Sequence, residues 1–186
     1  MIIGITGTIS SGKDTVAEII SKKLDYPIFT FSNILEKEMN KKNIKSTRKN
    51  FQNFADNLRQ EQGSDVLAKL LYENSPKNNM IINGFRNLAE VKYFKNLKDK
   101  KFILISVDAP QKLRFKRGLK RKRTADSETF EEFVERDKRS MGARNVDFTQ
   151  NIKLCMDQAD KLIINDGSFK KLKQKIENLL KIIRFA

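Results

Sequence analysis

Two hydrophobic patterns alternate along this chain. Five short runs of four to seven mainly apolar residues are typical of buried strands, and the fourth is apolar almost throughout, as in sheets covered on both faces. Between them, apolar residues recur every three or four positions, which is typical of helices with one buried face. The alternation predicts an α/β fold in three layers, a five-stranded parallel sheet with helices on both faces. The predicted strands are Ile2–Ile5, Ile28–Phe31, Met80–Asn83, Phe102–Asp108 and Leu162–Asn165.

The helical pattern also predicts where helices begin and end. The first helix follows a glycine-rich loop, carries a buried stripe as far as Leu24 and ends at Tyr26–Pro27, because proline disfavours helical backbone in the residue before it. Ser32 and Asn33 are predicted to cap a short helix that reaches about Met39. Further helices are predicted over Leu88–Leu97, Asn151–Gln158 and Leu172–Ile183.

The chain between the second and third predicted strands is longer than one crossover helix requires. Gly63 is predicted to end one helix with an apolar stripe, and Ser64 and Asp65 to cap the next. We interpret residues 33–75 as a small helical insertion that could hold the pocket for an acceptor.

The segment between the first strand and the first helix is GTISSGKDT, residues 7–15, and fits the pattern G-x-x-x-x-G-K. A loop that turns through two glycines aims successive backbone N–H groups at phosphate oxygens, and the helix N-terminus adds partial positive charge. Lys13 adds a point charge for the terminal phosphates. The pattern therefore predicts a nucleotide phosphate site. Its candidate residues are Gly7, Ile9, Ser10, Ser11, Gly12, Lys13, Asp14 and Thr15.

The last position of this motif departs from the pattern. Asp14 stands where the motif has serine or threonine, and Thr15 follows it. The usual hydroxyl contacts Mg²⁺, so either the Asp14 carboxylate holds a water of the magnesium ion or Thr15 supplies the hydroxyl. Asp14 and Thr15 are therefore the candidate metal residues.

Composition narrows the chemistry. The 186 residues suit one domain, and 38 Lys and Arg against 23 Asp and Glu leave a formal charge of +15, which favours anionic partners. With no histidine, acid–base work falls to carboxylates or lysines, and we interpret the single cysteine, Cys155, as a buried residue rather than a nucleophile. No apolar run approaches ~18 residues, so we expect a soluble cytoplasmic protein without a membrane partner.

Residues 112–123 carry eight basic residues and no acid, and an acidic stretch follows from Asp126 to Asp137. Apolar residues at helical spacing indicate that the basic stretch packs as a helix. Two interpretations stay open: a solvated helix face, or arginines that point into a site where phosphates meet. Ser127 or Thr129 is predicted to cap the helix that follows.

These motifs together resemble one family. The matching segments are residues 7–15, 83–86, 113–123, 130–137 and 159–167, and the resemblance extends over roughly residues 1–184. The chain resembles P-loop nucleoside-monophosphate-kinase-type proteins, in particular an archaeal and small-genome bacterial group of dephospho-CoA-kinase-like, nucleotide-kinase-like proteins. The resemblance implies a P-loop NTPase fold, ATP and Mg²⁺ as cofactors, and a basic lid over residues 112–140.

The resemblance also implies roles for individual residues. The loop with Lys13 binds the β- and γ-phosphates of ATP, and Arg86, just after the third strand, grips the phosphate of the acceptor. The family's lid arginines, which close over the donor phosphates, are matched by Arg117, Arg121 and Arg123. Asn165 and Gly167 match the loop that lies beside the adenine in the family, with a plain turn as the alternative.

Two amides stand where such kinases often have aspartates. Asn33 follows the second strand and Asn83 ends the third. In the relatives those carboxylates hold magnesium waters or orient the acceptor hydroxyl, and an amide neither accepts a proton nor balances a dication. Asp14 and Asp108 are the available substitutes, and Asn33 also suits simple helix capping.

The sequence gives few indications of which molecule accepts the phosphoryl group. A sugar hydroxyl, as in dephospho-CoA kinases, needs a general base near the second strand, whereas a phosphate needs none. The sequence therefore favours phosphoryl transfer from ATP to a nucleoside monophosphate, with a dephospho-CoA-kinase-like enzyme or a non-catalytic ATP-binding switch protein as alternatives. The candidate acceptor residues are Asn33, Arg48, Arg59, Asn83, Gly84 and Arg86.

The basic stretch suggests one further function, that of a nucleic-acid-binding ATPase or polynucleotide kinase. No recognised nucleic-acid motif supports it, so we expect a small-molecule nucleotide as partner rather than a nucleic acid. We expect the protein to be a monomer or a homodimer.

Overall fold

The computed structural model describes residues 1–76, 79–120, 129–142 and 147–185, and for residues 48, 49, 184 and 185 it describes the backbone only. Five strands lie in this part of the chain. They are β1 (Ile2–Gly7), β2 (Ile28–Thr30), β3 (Met80–Phe85), β4 (Phe102–Asp108) and β5 (Lys161–Ile164). All neighbours pair in parallel, in the order β2-β3-β1-β4-β5. The predicted five-stranded parallel sheet is confirmed.

Helices connect the strands. Within the described ranges they are α1 (Lys13–Leu24), α2 (Phe31–Lys41), α3 (Arg48–Gln62), α4 (Val66–Glu73), α5 (Leu88–Lys95), α6 (Gln111–Lys120), α7 (Phe130–Ser140), α8 (Ile152–Asp157) and α9 (Phe169–Phe185). None of these helices is both long enough and apolar enough to cross a membrane.

Two hydrophobic clusters cover the two faces of the sheet. On β1, Ile2 belongs to one cluster, whereas Ile3 and Ile5 belong to the other, because successive side chains of a strand point to opposite faces. Helices α2 to α5 and α8 contribute to the first cluster, and α1 and α9 to the second. This arrangement confirms the predicted three layers.

The strand order places the end of β1 at the centre of one sheet edge. The chain leaves β1 toward β2 and β3 on one side and later toward β4 and β5 on the other. Because all strands are parallel, their carboxyl ends share that edge, and open α/β sheets bind ligands there, where the strand order reverses. The loop after β1 lies at this point.

Strand β4 has the predicted bounds, and the first strand is longer than its apolar run. β1 extends to Gly7 because Thr6 and Gly7 continue the pairing with Ser106 and Val107 of β4. The Thr6 hydroxyl also donates a hydrogen bond to the Phe85 carbonyl oxygen at 3.0 Å. Polar residues therefore complete the strand at the edge where the candidate site lies.

Helix α2 begins earlier than predicted. The Thr30 hydroxyl accepts a hydrogen bond from the Asn33 backbone N–H at 3.1 Å, and Phe31 is the first helical residue rather than the end of a strand. The prediction that Ser32 and Asn33 cap this helix was wrong, because Thr30 already supplies the capping oxygen at the end of β2.

Helix α7 begins with a capping box. The Thr129 hydroxyl accepts from the Glu132 N–H at 3.2 Å, and the Glu132 carboxylate accepts from the Thr129 N–H at 2.8 Å. Thr129 is therefore confirmed as the cap, while Ser127 lies outside the described residues. At α4, Asp65 occupies the cap position, but its carboxylate pairs with Lys69 at 3.0 Å and makes no capping hydrogen bond to the described chain.

Candidate nucleotide-binding site

The glycine loop, residues 7–12, has backbone conformations that favour glycine. The φ angle is 149° at Gly7, 59° at Ser10 and 95° at Gly12. A Cβ atom at Gly7 would overlap the Val107 carbonyl oxygen, and one at Gly12 would overlap the Asn165 side chain. Both glycines of the motif are therefore required, by their conformation and by the space around them.

The N-terminus of α1 follows the glycine loop directly. Gly12 is the N-cap residue, and no side chain in the described part of the protein caps this helix. The first N–H groups of a helix have no partner within the helix, and they lie at the positive end of its dipole. An uncapped helix N-terminus after a glycine turn is a typical binding site for phosphate.

Side chains from two other segments bind the carbonyl oxygens of the glycine loop. On α6, Arg114 Nη1 donates to the Ile9 carbonyl oxygen at 3.2 Å. After β5, Asn165 Nδ2 donates to the Ser11 carbonyl oxygen at 2.8 Å, and Arg117 Nη1 donates to the same oxygen at 3.4 Å. The loop is therefore held through its acceptors.

These contacts orient the amide groups of the loop. The peptide bonds in the described part of the chain are trans, and the C=O and N–H groups of a trans peptide point in opposite directions. The N–H of Ser10 therefore points away from the donor that binds Ile9, and the N–H of Gly12 points away from the donors that bind Ser11. The loop presents amides on the side opposite to its supports, as a phosphate cradle requires.

Arg114 belongs to a buried ion pair that the sequence analysis did not identify. Its Nη1 and Nη2 atoms lie 2.6 and 2.7 Å from the two carboxylate oxygens of Asp137, and its Nε donates to the Ala109 carbonyl oxygen at 2.8 Å. Arg114 is 5% exposed and Asp137 is 4% exposed. The pair joins α6 to α7 and holds both against the glycine loop. The basic run followed by an acidic stretch is its only signal in the sequence, and that signal does not say which residues meet.

Among the predicted lid arginines, Arg117 lies within the described residues. Its guanidinium donates to the backbone carbonyl oxygen of Asn165 at 3.1 Å and to the side-chain oxygen of Asn165 at 3.3 Å. The structure thus brings Arg117 and Asn165 together against the glycine loop, and Gly167 lies in the same segment after β5. Arg121 and Arg123 lie outside the described residues. Contact of these residues with donor phosphates or adenine stays a prediction.

Asp14 and Asn83, the two departures from the usual motifs, are in contact. Asn83 Nδ2 donates to Asp14 Oδ1 at 2.9 Å. Asn83 is 8% exposed, and its Oδ1 atom is buried without a hydrogen-bond partner among the described residues. Thr15 follows in the first turn of α1 and is half-buried. Asp108 instead supports the glycine loop, since its Oδ1 accepts from the Thr8 hydroxyl at 2.6 Å.

These residues fit a magnesium ion that arrives with a nucleotide. Mg²⁺ prefers oxygen ligands and takes only one or two carboxylates from the protein when phosphates supply the rest. A carboxylate, a buried amide oxygen and a hydroxyl residue meet that need. Within the described ranges, no three His, Cys, Asp or Glu residues form a cluster that could hold a metal by itself.

Arg86 lies in the turn after β3, and Glu90 holds that turn. The Glu90 Oε2 atom accepts from the backbone N–H groups of Arg86 and Asn87 at 3.0 and 3.1 Å. On the other side, the Arg86 carbonyl oxygen accepts from the Asn151 N–H at 2.7 Å. Gly84 precedes the turn with a φ angle of 99°. The backbone around Arg86 is therefore fixed, and Arg86 itself is half-buried.

Arg59 does not form part of an open anion site, and the prediction that it does was wrong. Its Nη2 donates to Glu90 Oε1 at 2.8 Å, its Nη1 lies 3.3 Å from Asp56, and the residue is 3% exposed. A buried carboxylate needs a counter-charge, and Arg59 supplies it. The side chain of Arg48 lies outside the described residues, and Asn33 is exposed near the start of α2.

Comparison with known proteins identifies the family. Residues 6–134 match the family model described as AAA domain. The UPF0200 protein of Methanocaldococcus jannaschii is 35% identical in an alignment of 188 positions, which covers 98% of this chain and 90% of that protein. The UPF0200 protein of Thermococcus gammatolerans is 34% identical in an alignment of 193 positions, which covers 99% of this chain and 96% of that protein. The chain belongs to the AAA domain and UPF0200 families.

The fold of this UPF0200 chain is that of the P-loop kinases. The crystal structure of shikimate kinase from Bacteroides thetaiotaomicron matches with a TM-score of 0.63 and 14% identity, over 99% of this chain and 98% of that one. Identity this low shows the fold alone. The P-loop fold that the resemblance implies is thereby confirmed, and the acceptor that the resemblance implies stays a proposal.

Proposed function

We propose that this UPF0200 protein is an ATP-dependent phosphotransferase that moves the γ-phosphoryl group of ATP to a nucleoside monophosphate. The observation that carries the proposal is the glycine loop. Side chains bind its carbonyl oxygens at Ile9 and Ser11, so its amides point to the other side, and it leads into the uncapped N-terminus of α1. Backbone amides, a helix N-terminus and a lysine in this order bind nucleotide phosphates.

In the proposed reaction, an oxygen of the acceptor phosphate forms a bond to the γ-phosphorus of ATP. The bond between that phosphorus and the bridging oxygen breaks, and its electron pair leaves with ADP. Lys13 and the loop amides hold the β- and γ-phosphates, Arg117 closes on them from α6, and Arg86 holds the acceptor phosphate in line. Asp14 and Thr15 would hold the Mg²⁺, which would supply positive charge to offset the negative charge of the phosphates.

The acceptor is proposed to be a phosphate because the two positions suited to a general base hold amides, Asn33 and Asn83. Amides do not accept a proton, so a hydroxyl acceptor such as that of dephospho-CoA lacks its base there. A phosphate monoester is largely ionised at neutral pH, since its second pKa is about 6, and it attacks without a base. Arg86 is then the main acceptor cation, with Arg48 of the helical insertion, residues 33–75, as the second.

The test incubates the full chain with Mg²⁺, ATP and a panel of ribo- and deoxyribonucleoside monophosphates, with dephospho-CoA as the hydroxyl acceptor. We expect ADP and a nucleoside diphosphate from at least one monophosphate. Lys13→Ala should abolish transfer, whereas Lys22→Ala, which removes an exposed lysine from the same helix, should leave it unchanged. Product from dephospho-CoA alone would assign the hydroxyl acceptor instead.

A second candidate is an ATP-binding switch protein that transfers no phosphoryl group. Asn83 favours it, because an amide occupies a position where such kinases often have a carboxylate, and its Nδ2 contacts Asp14 at 2.9 Å. Saturable ATP binding that is lost in Lys13→Ala, together with no product from any acceptor of the panel, would support the switch and contradict the enzyme.

A further inference from the structure

Asp14 and Asn83 depart from the usual nucleotide-site pattern in complementary ways. Asp14 on α1 puts a carboxylate where the motif has a hydroxyl, and Asn83 on β3 puts an amide where a carboxylate is expected. The two residues are 69 positions apart in the chain, yet Asn83 Nδ2 donates to Asp14 Oδ1 at 2.9 Å. The pair thus still has one carboxylate, but this carboxylate lies on α1 instead of β3.

The Asn83 side chain is also incompletely satisfied. The residue is 8% exposed, and its Oδ1 atom is buried without a partner among the described residues. This oxygen belongs to the same carboxamide whose nitrogen contacts the Asp14 carboxylate. A buried acceptor without a donor is unfavourable unless a ligand satisfies it. A magnesium ion prefers oxygen ligands such as a carboxylate or an amide oxygen, and both groups also accept hydrogen bonds from the waters that the ion keeps.

We propose that the metal-facing carboxylate of this nucleotide site lies on α1, at Asp14, and that Asn83 on β3 holds it in place and offers Oδ1 to the metal's ligand shell. The inference rests on the proposed function, because the magnesium ion arrives with the nucleotide. The first turn of α1 suits a carboxylate, since the positive end of the helix dipole stabilises negative charge there.

The carboxylate of Asp14 explains why an amide, and not a second carboxylate, suits position 83. A second carboxylate would stand where Asn83 Nδ2 now donates, 2.9 Å from Asp14 Oδ1, and the two like charges would repel each other. The arrangement should therefore be reversible. A double variant with Asp14→Asn and Asn83→Asp again contains one carboxylate and one amide donor in contact.

The test measures the affinity of a non-hydrolysable ATP analogue by titration calorimetry, once with excess Mg²⁺ and once with EDTA. The ratio of the two affinities is the magnesium-dependent gain. We expect Asp14→Asn to lower this gain by roughly tenfold or more, and the double variant to recover it. Asn83→Ser, which keeps Asp14 but removes its amide partner, should lower the gain by a smaller factor.

The matched control is Glu18→Gln, which removes an exposed carboxylate from the same helix and should keep the full gain. Melting curves in EDTA without nucleotide separate a folding defect from a metal effect. Mn²⁺ in place of Mg²⁺ gives a second readout, because the electron paramagnetic resonance spectrum of the bound ion should change in Asp14→Asn and not in Glu18→Gln.

The outcomes distinguish this inference from the proposed function. An unchanged gain in Asp14→Asn overturns the inference, and so does a folded double variant that fails to recover it. A wild-type protein that binds no ATP analogue with or without Mg²⁺ contradicts the proposed function itself. An unchanged gain in Asn83→Ser removes Asn83 from the metal site and overturns its part of the inference.

Discussion

Two buried arginine–carboxylate pairs flank the candidate site, and they act on the backbone in opposite ways. In the lid-side pair, Arg114 and Asp137, the arginine donates to a carbonyl oxygen of the glycine loop at 3.2 Å. In the insertion-side pair, Arg59 and Glu90, the carboxylate accepts from the backbone N–H of Arg86 at 3.0 Å. The first pair therefore orients the glycine loop, and the second orients the turn that carries the candidate acceptor arginine.

The two pairs also differ in how fully their arginines are satisfied. Asp137 binds both terminal nitrogens of Arg114, and the Ala109 carbonyl oxygen binds Nε. Glu90 binds one terminal nitrogen of Arg59, whose Nε is buried without a partner in the described part of the chain. The lid-side pair is a complete polar network and the insertion-side pair is not, so we expect the two to respond differently when they are broken.

Breaking the lid-side pair should have the largest effect. Asp137→Ala removes the carboxylate that binds both terminal nitrogens of Arg114 and leaves, among the described residues, the more distant Asp108 carboxylate, 3.8 Å from Arg114 Nε. The loss of one partner from a buried pair costs about 3–5 kcal/mol. We expect the free energy of unfolding, measured by urea denaturation, to fall by that amount. Glu135→Ala is the control, because it removes an exposed carboxylate of the same helix whose pair with Lys138 is solvated, and it should cost about 0–1 kcal/mol. Equal losses in the two variants would contradict a special role for the pair.

Breaking the insertion-side pair should cost less stability and should act on the acceptor. Glu90→Gln keeps the shape of the side chain but loses the charged hydrogen bond to Arg59, worth about 1.5–3 kcal/mol. The single oxygen of glutamine cannot serve both Arg59 and the backbone N–H groups of the Arg86 turn, so the turn is held less firmly while the glycine loop keeps its contacts. The KM for the acceptor should therefore rise with the affinity for ATP unchanged. Asp137→Asn should show the reverse, a weaker affinity for ATP with the acceptor KM kept. Steady-state kinetics and ATP titrations would refute the comparison if both variants changed both constants equally.

Cys155 is buried in α8, as predicted, and its thiol is close enough to the insertion-side pair to be affected by the charges of Glu90 and Arg59. Burial, and next the nearby Glu90 charge, raise the pKa of this thiol above its ordinary range. In the unfolded chain the thiol ionises above about pH 8.5, whereas in the folded protein it stays protonated. The contribution of the thiol to stability is therefore full below that pH and is lost as the pH rises, at up to about 1.4 kcal/mol per pH unit.

We therefore expect the free energy of unfolding to fall between about pH 8.5 and 10, and to fall less steeply in Cys155→Ala. Urea denaturation at several pH values measures both slopes. Identical slopes in wild type and Cys155→Ala would show that the thiol does not titrate differently in the folded and unfolded states.

The smallest effect is expected at Arg117, which belongs to neither pair. Its hydrogen bonds to Ser11 and Asn165 are 3.1 to 3.4 Å long, and Arg117 is half-buried. Such bonds contribute about 0.5–1.5 kcal/mol each, and three at the weak end of that range predict a fall of about 1.5 kcal/mol in the free energy of unfolding of Arg117→Ala. ATP binding should weaken about fivefold, because the glycine loop loses one of its supports. Lys116→Ala, at the exposed neighbouring position, should change neither quantity. A stability loss as large as that of Asp137→Ala would place Arg117 among the structural arginines.

Features that depend on near neighbours in the chain could be predicted from the sequence. Phe102–Asp108 has the predicted bounds because a continuous apolar run marks a strand buried on both faces. Thr129 is one of the two predicted caps, Ser127 or Thr129, and its partner Glu132 lies only three residues away. The glycine loop was recognised because its motif is contiguous, and the structure bears out the need for glycine at Gly7 and Gly12.

Features that depend on distant residues could not be predicted. Arg59 was assigned to an anion site because its position on a helix does not reveal that it is buried against Glu90, 31 residues away. The pair of Arg114 and Asp137 could not be predicted either. Arg114 is one of eight basic residues in its segment, and spacing does not select one carboxylate from the acidic stretch that follows.

The sequence by itself determined the alternation of strands and helices, the glycine loop with its lysine, and the replacement of a hydroxyl by Asp14 and of a carboxylate by Asn83. Only the tertiary structure decided which charged and polar groups meet. Hydrophobic periodicity constrains one element at a time, whereas the contact between Asp14 and Asn83 requires β3 to lie beside β1 in the sheet. Because burial penalises an unpaired charge, the same packing determines which arginines balance buried carboxylates and which stay partly exposed.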